Sequence, residues 1–391
     1  LFRIATPAHD LPRAHRALDP HAALECNGLI EVARTLGKGA GVHDCLFLGN
    51  QEHIGCRPCG IERLVRCLRR ELGEADAVTA SHLGTGRGFS VREVIDQVSA
   101  VTETTVPSAE NLSYFGNRDE AHMIYTDRLP PLIIDALLHG RADRLRTWMM
   151  QMPPAPPGCT YLNFLASHDG IGVRPAEGLL TDDEIGDLVT AAEAAGGLHG
   201  TYNAPGGPRP YELNVSLWDL LEPDQFVCAH AIMFGVEGIP ALWINSLLVR
   251  SNDPETAERT GVRRDITRAR VDLADATAVL DGSDTPESRA ASELLRLLEI
   301  RSTQPAFDPG ATQFTLQIGE GLFAFWRQST DRTQSIFAVH NCTTGAQVLD
   351  LHRLNLIATD EWRDLVSGMP LTTGQATIDL APFQSVWITN A

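Results

Sequence analysis

The chain has 391 residues, 43% hydrophobic and 21% charged, a globular balance that excludes disorder, collagen-like repeats and a disulfide-dense miniprotein. Fifty acidic against 32 basic side chains leave a net charge of -18, which argues against nucleic acid and anionic membrane as partners. No run approaches the roughly 20 apolar residues that cross a bilayer, and no basic-then-apolar signal opens the chain, so a cytoplasmic protein of two or three domains is expected.

The charge is unevenly spread. Residues 1–100 carry 12 acidic and 12 basic side chains, so the whole excess belongs to 101–391. The first hundred also hold five of the eight cysteines and six of the 13 histidines, and Lys38 is the only lysine in the protein. Periodicity is weak until Ile61, Leu64, Val65 and Leu68 predict a helix ending near Gly73. Val91, Val94, Ile95 and Val98 predict a second, short one. Cys56-Arg57-Pro58-Cys59, with His43, Cys45, His53 and Cys67 near by, offers soft metal ligands. The second pair of a strong zinc motif is missing, so these read as unpaired thiols and no metal is assigned.

From residue 101 the rhythm becomes α/β. Apolar stretches at 132–138, 161–166, 227–234 and 239–244 alternate with Pro- and Gly-rich loops, and 287–301 reads as a long amphipathic helix. Beyond Pro305, alternating runs at 312–318, 321–327, 335–340, 376–380 and 384–389 predict an antiparallel β-domain.

Two carboxylates stand out. Glu103 follows a short β-prone run, and a polar residue at the C-terminal end of a parallel strand lies on a barrel's active face. From position alone, a solvated loop glutamate is the simpler reading. Asp169 ends the apolar run Leu162 to Ala166 through Ser167-His168, with Gly170 and Gly172 after it. A core strand seldom runs into two ionisable groups without use, though an aspartate capping the next helix is the simpler alternative.

Residues 101–391 resemble the α-amylase superfamily in its sucrose phosphorylase branch, and more narrowly the glucosylglycerate and sucrose-6-phosphate phosphorylases. The segments that carry this include TETTVPSAENLSYFGN (102–117), LNFLASHDGIGVRPAEGLL (162–180), PYELNVSLWDLL (210–221), GIPALWINSLL (238–248) and NDPETAERTGVRRDITR (252–268). The resemblance implies a (β/α)8-type barrel, its second half at 101–305, followed by a C-terminal β-domain at 306–391. It implies glycosyl transfer on α-glucosides by a retaining, phosphorylase-type mechanism. Its substrates would be an α-glucoside or glucose 1-phosphate, inorganic phosphate and a small acceptor, with no cofactor. By the same carry-over Glu103 is the general acid/base, Asp169 the carboxylate that grips sugar hydroxyls, and His168 its partner on the sugar. Arg264 would hold the glucosyl ring, while Arg209, Tyr211 and Glu212 fall in the acceptor loop. A guanidinium at Arg209 would suit an anionic acceptor.

The family's Arg-x-Asp nucleophile motif is not recognisable upstream of Glu103. Asp76, in Glu74-Ala75-Asp76-Ala77-Val78, is the candidate, with glutamate where the arginine belongs. The early barrel strands are likewise not recognisable, and HLGTGRGFSVREVIDQVSAVT (82–102) is similar instead to the C-terminal region of UDP-glucose 4-epimerases. It lacks those enzymes' dinucleotide fingerprint and Tyr-x-x-x-Lys pair, so no epimerase activity is implied. The expectation is a chain with an incomplete barrel, a chimera or broken gene product, whose native phosphorolysis is negligible. A non-catalytic, carbohydrate-binding remnant is the alternative. Bare parallel edges, if left by the N-terminal segment, predict self-association.

Overall fold

The computed structural model describes residues 24–26, 29–31, 46–48, 101–102, 108–116, 121–357 and 361–390. The helices expected at 61–73 and 91–98, the Cys56-x-x-Cys59 cluster, Asp76 and Glu103 lie outside these residues.

Five short strands form one parallel sheet in the order Leu46–Leu48, Ile239–Trp243, Thr160–Asn163, Met123–Tyr125, Val101–Thr102. The last four are consecutive in the chain among the described parallel strands and adjacent in space, as strand–helix repeats require. Their side chains alternate between two covered faces. Tyr125 and Leu162 meet Phe164, Ala241 and Trp243 on one side. Ile124 and Tyr161 pack with Phe115 and Ala121 on the other. The edge at Ile239–Trp243 is therefore paired rather than bare, while closure of a barrel would fall on residues outside those described.

Of helices Leu129–His139, Asp143–Gln151, Asp182–Ala194, Pro223–Gly235 and Pro286–Ser302, Pro223–Gly235 lies against strand Ile239–Trp243, Pro286–Ser302 packs on Pro223–Gly235, and Asp182–Ala194 packs on Leu129–His139 and on the strands at 198–214. Of the apolar stretches, 132–138 and 227–234 thus form helices, and 161–166 and 239–244 contain strands. Pro286–Ser302 begins where local chemistry allows. The Thr285 hydroxyl accepts from the Ser288 N–H (3.2 Å), Pro286 has no N–H to lose, and Glu287 faces the positive end of the helix. Its Ala290, Ala291, Leu294, Leu295, Leu297 and Leu298 are buried, the core stripe that its periodicity announces.

Beyond Phe307 the chain is antiparallel. Strands Thr312–Leu316, Leu322–Gln328, Ser335–Asn341, Ser385–Thr389 and Arg363–Asp364 form one sheet in that order, and Gln347–Asp350 pairs with Thr377–Leu380. This C-terminal sheet is no separate globule. Phe323, Phe325, Ile336, Ala338 and Trp387 belong to the same apolar core as helices Leu129–His139, Pro223–Gly235 and Pro286–Ser302.

Two histidines sit inside that arrangement. His230 bonds the Phe226 carbonyl through Nδ1 (2.8 Å), and His340 bonds the Ser385 hydroxyl through Nδ1 (2.8 Å). Burial holds their imidazoles down, to about 4 and about 3 respectively. In the unfolded chain they return to about 6.5. The unfolded state therefore binds more protons below that value, and stability falls as pH drops through 6.5 towards 4. At pH 5 each histidine removes about 2 kcal/mol relative to pH 8. Urea midpoints measured from pH 8 to pH 5 should show this loss, and a His230→Gln/His340→Gln variant should have a shallower slope over the same window.

Candidate functional site

The site is built at the end of strand Thr160–Asn163, where Phe164 to Ala166 lead the chain, still buried, to His168 and Asp169. Ser167 and Gly170 exchange both backbone hydrogen bonds (3.0 and 3.1 Å), closing a tight turn with the aspartate at its tip. Gly170 takes φ +106°, and a Cβ there would collide with the Leu213 carbonyl oxygen. Only glycine lets this turn lie against the strand Gly207–Asn214.

That strand pairs with Leu198–Ala204 and Ile171–Gly172 in a three-stranded antiparallel sheet. Asn214, fully buried, donates from Nδ2 to the Asp169 carbonyl (3.0 Å) and to Glu212 Oε1 (3.1 Å). The third element is the single-turn segment Arg263–Thr267 with Arg268 after it. Arg264 holds Glu212 with two parallel bonds, Nε to Oε1 (2.9 Å) and Nη2 to Oε2 (2.8 Å). Its Nη1 reaches Asp169 Oδ1 at 2.9 Å. Arg268 donates from Nε to the His168 carbonyl (2.8 Å), from Nη2 to Asp169 Oδ1 (3.1 Å) and from Nη1 to Asp265 (3.0 Å).

Asp169 Oδ1 thus has two guanidinium groups and His168 Nε2 (3.3 Å) around it. Among the described residues its second oxygen has no such partner, and the side chain is 32% exposed. A carboxylate fixed by one oxygen and open at the other suits a ligand's hydroxyls. His168 is buried beside the Trp243 ring, centroids 6.2 Å apart. Burial lowers its imidazole pKa against the pull of Asp169, with the charges of Arg268 and Arg264 reinforcing burial. A histidine so placed is a neutral hydrogen-bonding group near pH 7. The Glu212 hydrogen bond raises the Arg264 pKa, so that charge is permanent.

The structure therefore brings Asp169, His168, Arg264 and Glu212 together. Arg209 makes its contacts elsewhere on the hairpin, while Tyr211 lies near enough to Arg264 to act on its charge. The pairing of the hairpin shifts register at Tyr211, between Gly200 opposite Glu212 and Thr201 opposite Pro210, which turns the strand between the two pairs of residues. Arg209 pairs with Asp182 (2.6 Å) and Glu177 (3.7 Å), both at the solvent side. Tyr211 lies edge-on to Tyr202 (6.4 Å), whose hydroxyl donates to Glu177 (2.8 Å). Glu103 follows strand Val101–Thr102 in sequence, but neither it nor Asp76 is among the described residues. Sequence reading missed Arg268, Asn214 and Trp243. Arg268 stands in a run of arginines without helical or strand periodicity, so only its contacts single it out.

No family model matches the chain. Its sequence is similar to glucosylglycerate phosphorylase of Escherichia coli, 34% identical over 315 residues, which is 76% of this chain and 54% of the relative. Glucosylglycerate phosphorylase of Spirochaeta thermophila is 36% identical over 258 residues, 64% of this chain and 44% of the relative. Sucrose phosphorylase of Agrobacterium vitis is 31% identical over 233 residues, 54% of this chain and 44% of the relative. The chain spans about half the length of the curated relatives it matches. Among solved structures, sucrose 6F-phosphate phosphorylase from Thermoanaerobacter thermosaccharolyticum superposes with a TM-score of 0.56 at 19% identity, over 74% of this chain and 61% of the other. AmyP solved with maltotriose gives 0.50 at 12% identity, over 83% of this chain and 62% of the other. These likenesses show an α-amylase-family fold.

Gly170 provides a direct test of the site's construction. Gly170→Ala should lower stability by about 2–4 kcal/mol, through strain at positive φ and the clash with Leu213, read as a shift in the urea midpoint.

Proposed function

From this relationship to the glycoside phosphorylases of the α-amylase superfamily, we propose that the chain carries the sugar-gripping half of a glycosyl-transfer site for α-glucosides. The observation that supports it best is Asp169, held through one oxygen by Arg264 and Arg268 with the other open. Through that oxygen Asp169 would bind hydroxyls of a glucosyl ring as the ring flattens towards an oxocarbenium-like state. His168, uncharged, would donate or accept a second hydroxyl bond, and Arg264 would keep both Asp169 and Glu212 aimed at the ring. Residues 101–305 would form the catalytic part and 306–391 its C-terminal β-domain.

In the proposed retaining reaction Glu103 gives its proton to the leaving oxygen as the C1–O bond breaks. A carboxylate then takes C1, for which Asp76 is the candidate. A phosphate oxygen next attacks C1, its proton passing to the Glu103 carboxylate, which frees the nucleophile and produces glucose 1-phosphate. The glucosylglycerate phosphorylases among the relatives make a glucoside of a small hydroxy acid the first donor to assay. A second reading, glucoside binding without turnover, is favoured by the unrecognisable Arg-x-Asp motif.

The assay is phosphate-dependent release of glucose 1-phosphate from glucosylglycerate, sucrose and sucrose 6-phosphate. Under the first reading Asp169→Asn lowers turnover about 10²–10³-fold, and Asp76→Asn abolishes it. Arg268→Lys keeps the charge but loses the forked geometry, and should lower kcat about tenfold with little change in KM. Under the second reading there is no turnover, yet glucose 1-phosphate binds saturably in calorimetry and Asp169→Asn weakens it. A chain that neither turns over nor binds these sugars refutes both.

A further inference from the structure

The cluster around Asp169 has a neighbouring cation that it does not use. Arg263 and Arg264 are consecutive at the start of the single-turn segment Arg263–Thr267. Both oxygens of Glu212 are taken by the fork of Arg264, and Asn214 donates to Oε1 as well. Asp169 Oδ1 is shared by Arg264 and Arg268, and Asp265 is bonded to Arg268. Arg263 is exposed, and among the described residues it makes no hydrogen bond or ion pair.

Its place is nevertheless defined. Gly200 stands opposite Glu212 in the hairpin. A Cβ on Gly200 would meet Glu212 Cγ at 3.1 Å, Glu212 Oε1 at 3.4 Å and Arg263 Nη2 at 3.6 Å. The Arg263 guanidinium therefore lies over Gly200, on the face of the hairpin that carries Glu212, and the missing side chain keeps that space open. The turn behind it is anchored. The Thr267 hydroxyl donates to the Arg264 carbonyl (3.0 Å), and the Asp253 N–H to that of Ile266 (2.8 Å). Arg209, by contrast, already has Asp182 and Glu177 at its guanidinium.

A guanidinium presents five N–H donors in a planar fork that matches the oxygens of a carboxylate or phosphate in pairs. The chain carries a net charge of -18, so an anionic ligand gains nothing from the overall field and needs a local cation. Arg264 and Arg268 spend their donors on holding Asp169, Glu212 and Asp265. We propose that Arg263 is a specificity-determining residue that binds the oxyanion of the substrate beside the glucosyl ring. That oxyanion is either the phosphate of glucose 1-phosphate or the carboxylate of a hydroxy-acid glucoside. The assignment rests on the reading of Asp169 as the group that grips the ring.

The test is calorimetric titration of the full 391-residue chain with glucose 1-phosphate, glucosylglycerate and the uncharged methyl α-glucoside. At least one of the two anions should bind more than about tenfold tighter than methyl α-glucoside. Arg263 is exposed, so its substitution spares the fold. Arg263→Met should bring the anion down to the affinity of methyl α-glucoside, and Arg263→Lys should restore part of the preference, since charge returns without the fork. A loss confined to glucose 1-phosphate marks the phosphate as the source, and one confined to glucosylglycerate marks the carboxylate. Loss of both marks a subsite that they share. Arg289→Met makes the same change of net charge on the long helix and should leave the preference in place. Asp169→Asn should weaken all three ligands alike. If it weakens none, while Arg263→Met still removes the preference, the glucosyl reading falls and the oxyanion site stands. A preference that survives Arg263→Met, or that falls equally in Arg289→Met, overturns the proposal. So does a chain that binds neither anion more tightly than methyl α-glucoside.

Discussion

The carbonyl groups of residues 234–238 are the constraint around which the fold closes. Helix Pro223–Gly235 ends inside the protein, where its last carbonyls have no helical partner and are shielded from solvent. Arg301 donates to the carbonyls of Phe234 (2.8 Å) and Gly238 (3.1 Å), and Arg327 to that of Gly235 (3.0 Å). Asn163 takes the Glu237 carbonyl (2.9 Å), and Gln313 accepts from the Glu237 N–H (2.7 Å). Both arginines are fully buried, yet the bonds described at their guanidinium groups run to backbone carbonyls, at the negative end of a helix. Gly238 completes the turn at φ +124°, where a Cβ would stand 2.6 Å from the Tyr161 carbonyl oxygen.

This arrangement ties three parts of the chain to one turn. Arg301 belongs to the long helix, Arg327 and Gln313 to the C-terminal sheet, and Asn163 to the strand that leads to Asp169. The turn delivers strand Ile239–Trp243 into register beside Thr160–Asn163, with Ile239 opposite Leu162. Trp243, at that strand's end, then stands against His168. The C-terminal sheet thus takes part in fixing the geometry of a cluster to which it contributes no residue. Breaking one of these buried arginine contacts would leave orphaned carbonyls at the base of the site.

Arginine plays the opposite role at Asp169. There Arg264 and Arg268 are partly exposed and bind carboxylates, so attraction is exchanged with solvent and only geometry gives the pairs their value. That geometry is supplied by the forked Arg264–Glu212 pair and by Arg268 gripping both the backbone and the side chain of one dipeptide. The result is a carboxylate that cannot rotate but still offers an oxygen.

Much of this was legible in the residues. The helix Pro286–Ser302 was readable to within a residue, because a capping threonine, a first-turn proline and a leucine stripe agree. The strands at 322–328, 335–341 and 385–389 were readable as short apolar, β-prone runs bounded by turn residues, and both faces of each are buried. Strands Gln347–Asp350 and Arg363–Asp364 were not, being too short for a period to emerge, and the hairpin from Leu198 to Asn214 hides its pattern under prolines, glycines and polar residues on both faces. His168 and Asp169 were marked by an apolar strand running into two ionisable groups. The sequence by itself determined these elements, the acidic balance and the family likeness, because propensity, periodicity and motif act over neighbouring residues. Only the tertiary structure decided that Arg268 reaches Asp169, that Arg209 pairs with Asp182 and Glu177, and that Arg301 and Arg327 end on backbone carbonyls. An arginine's reach spans segments a hundred residues apart, and its partner is chosen by which buried group would otherwise go unsatisfied.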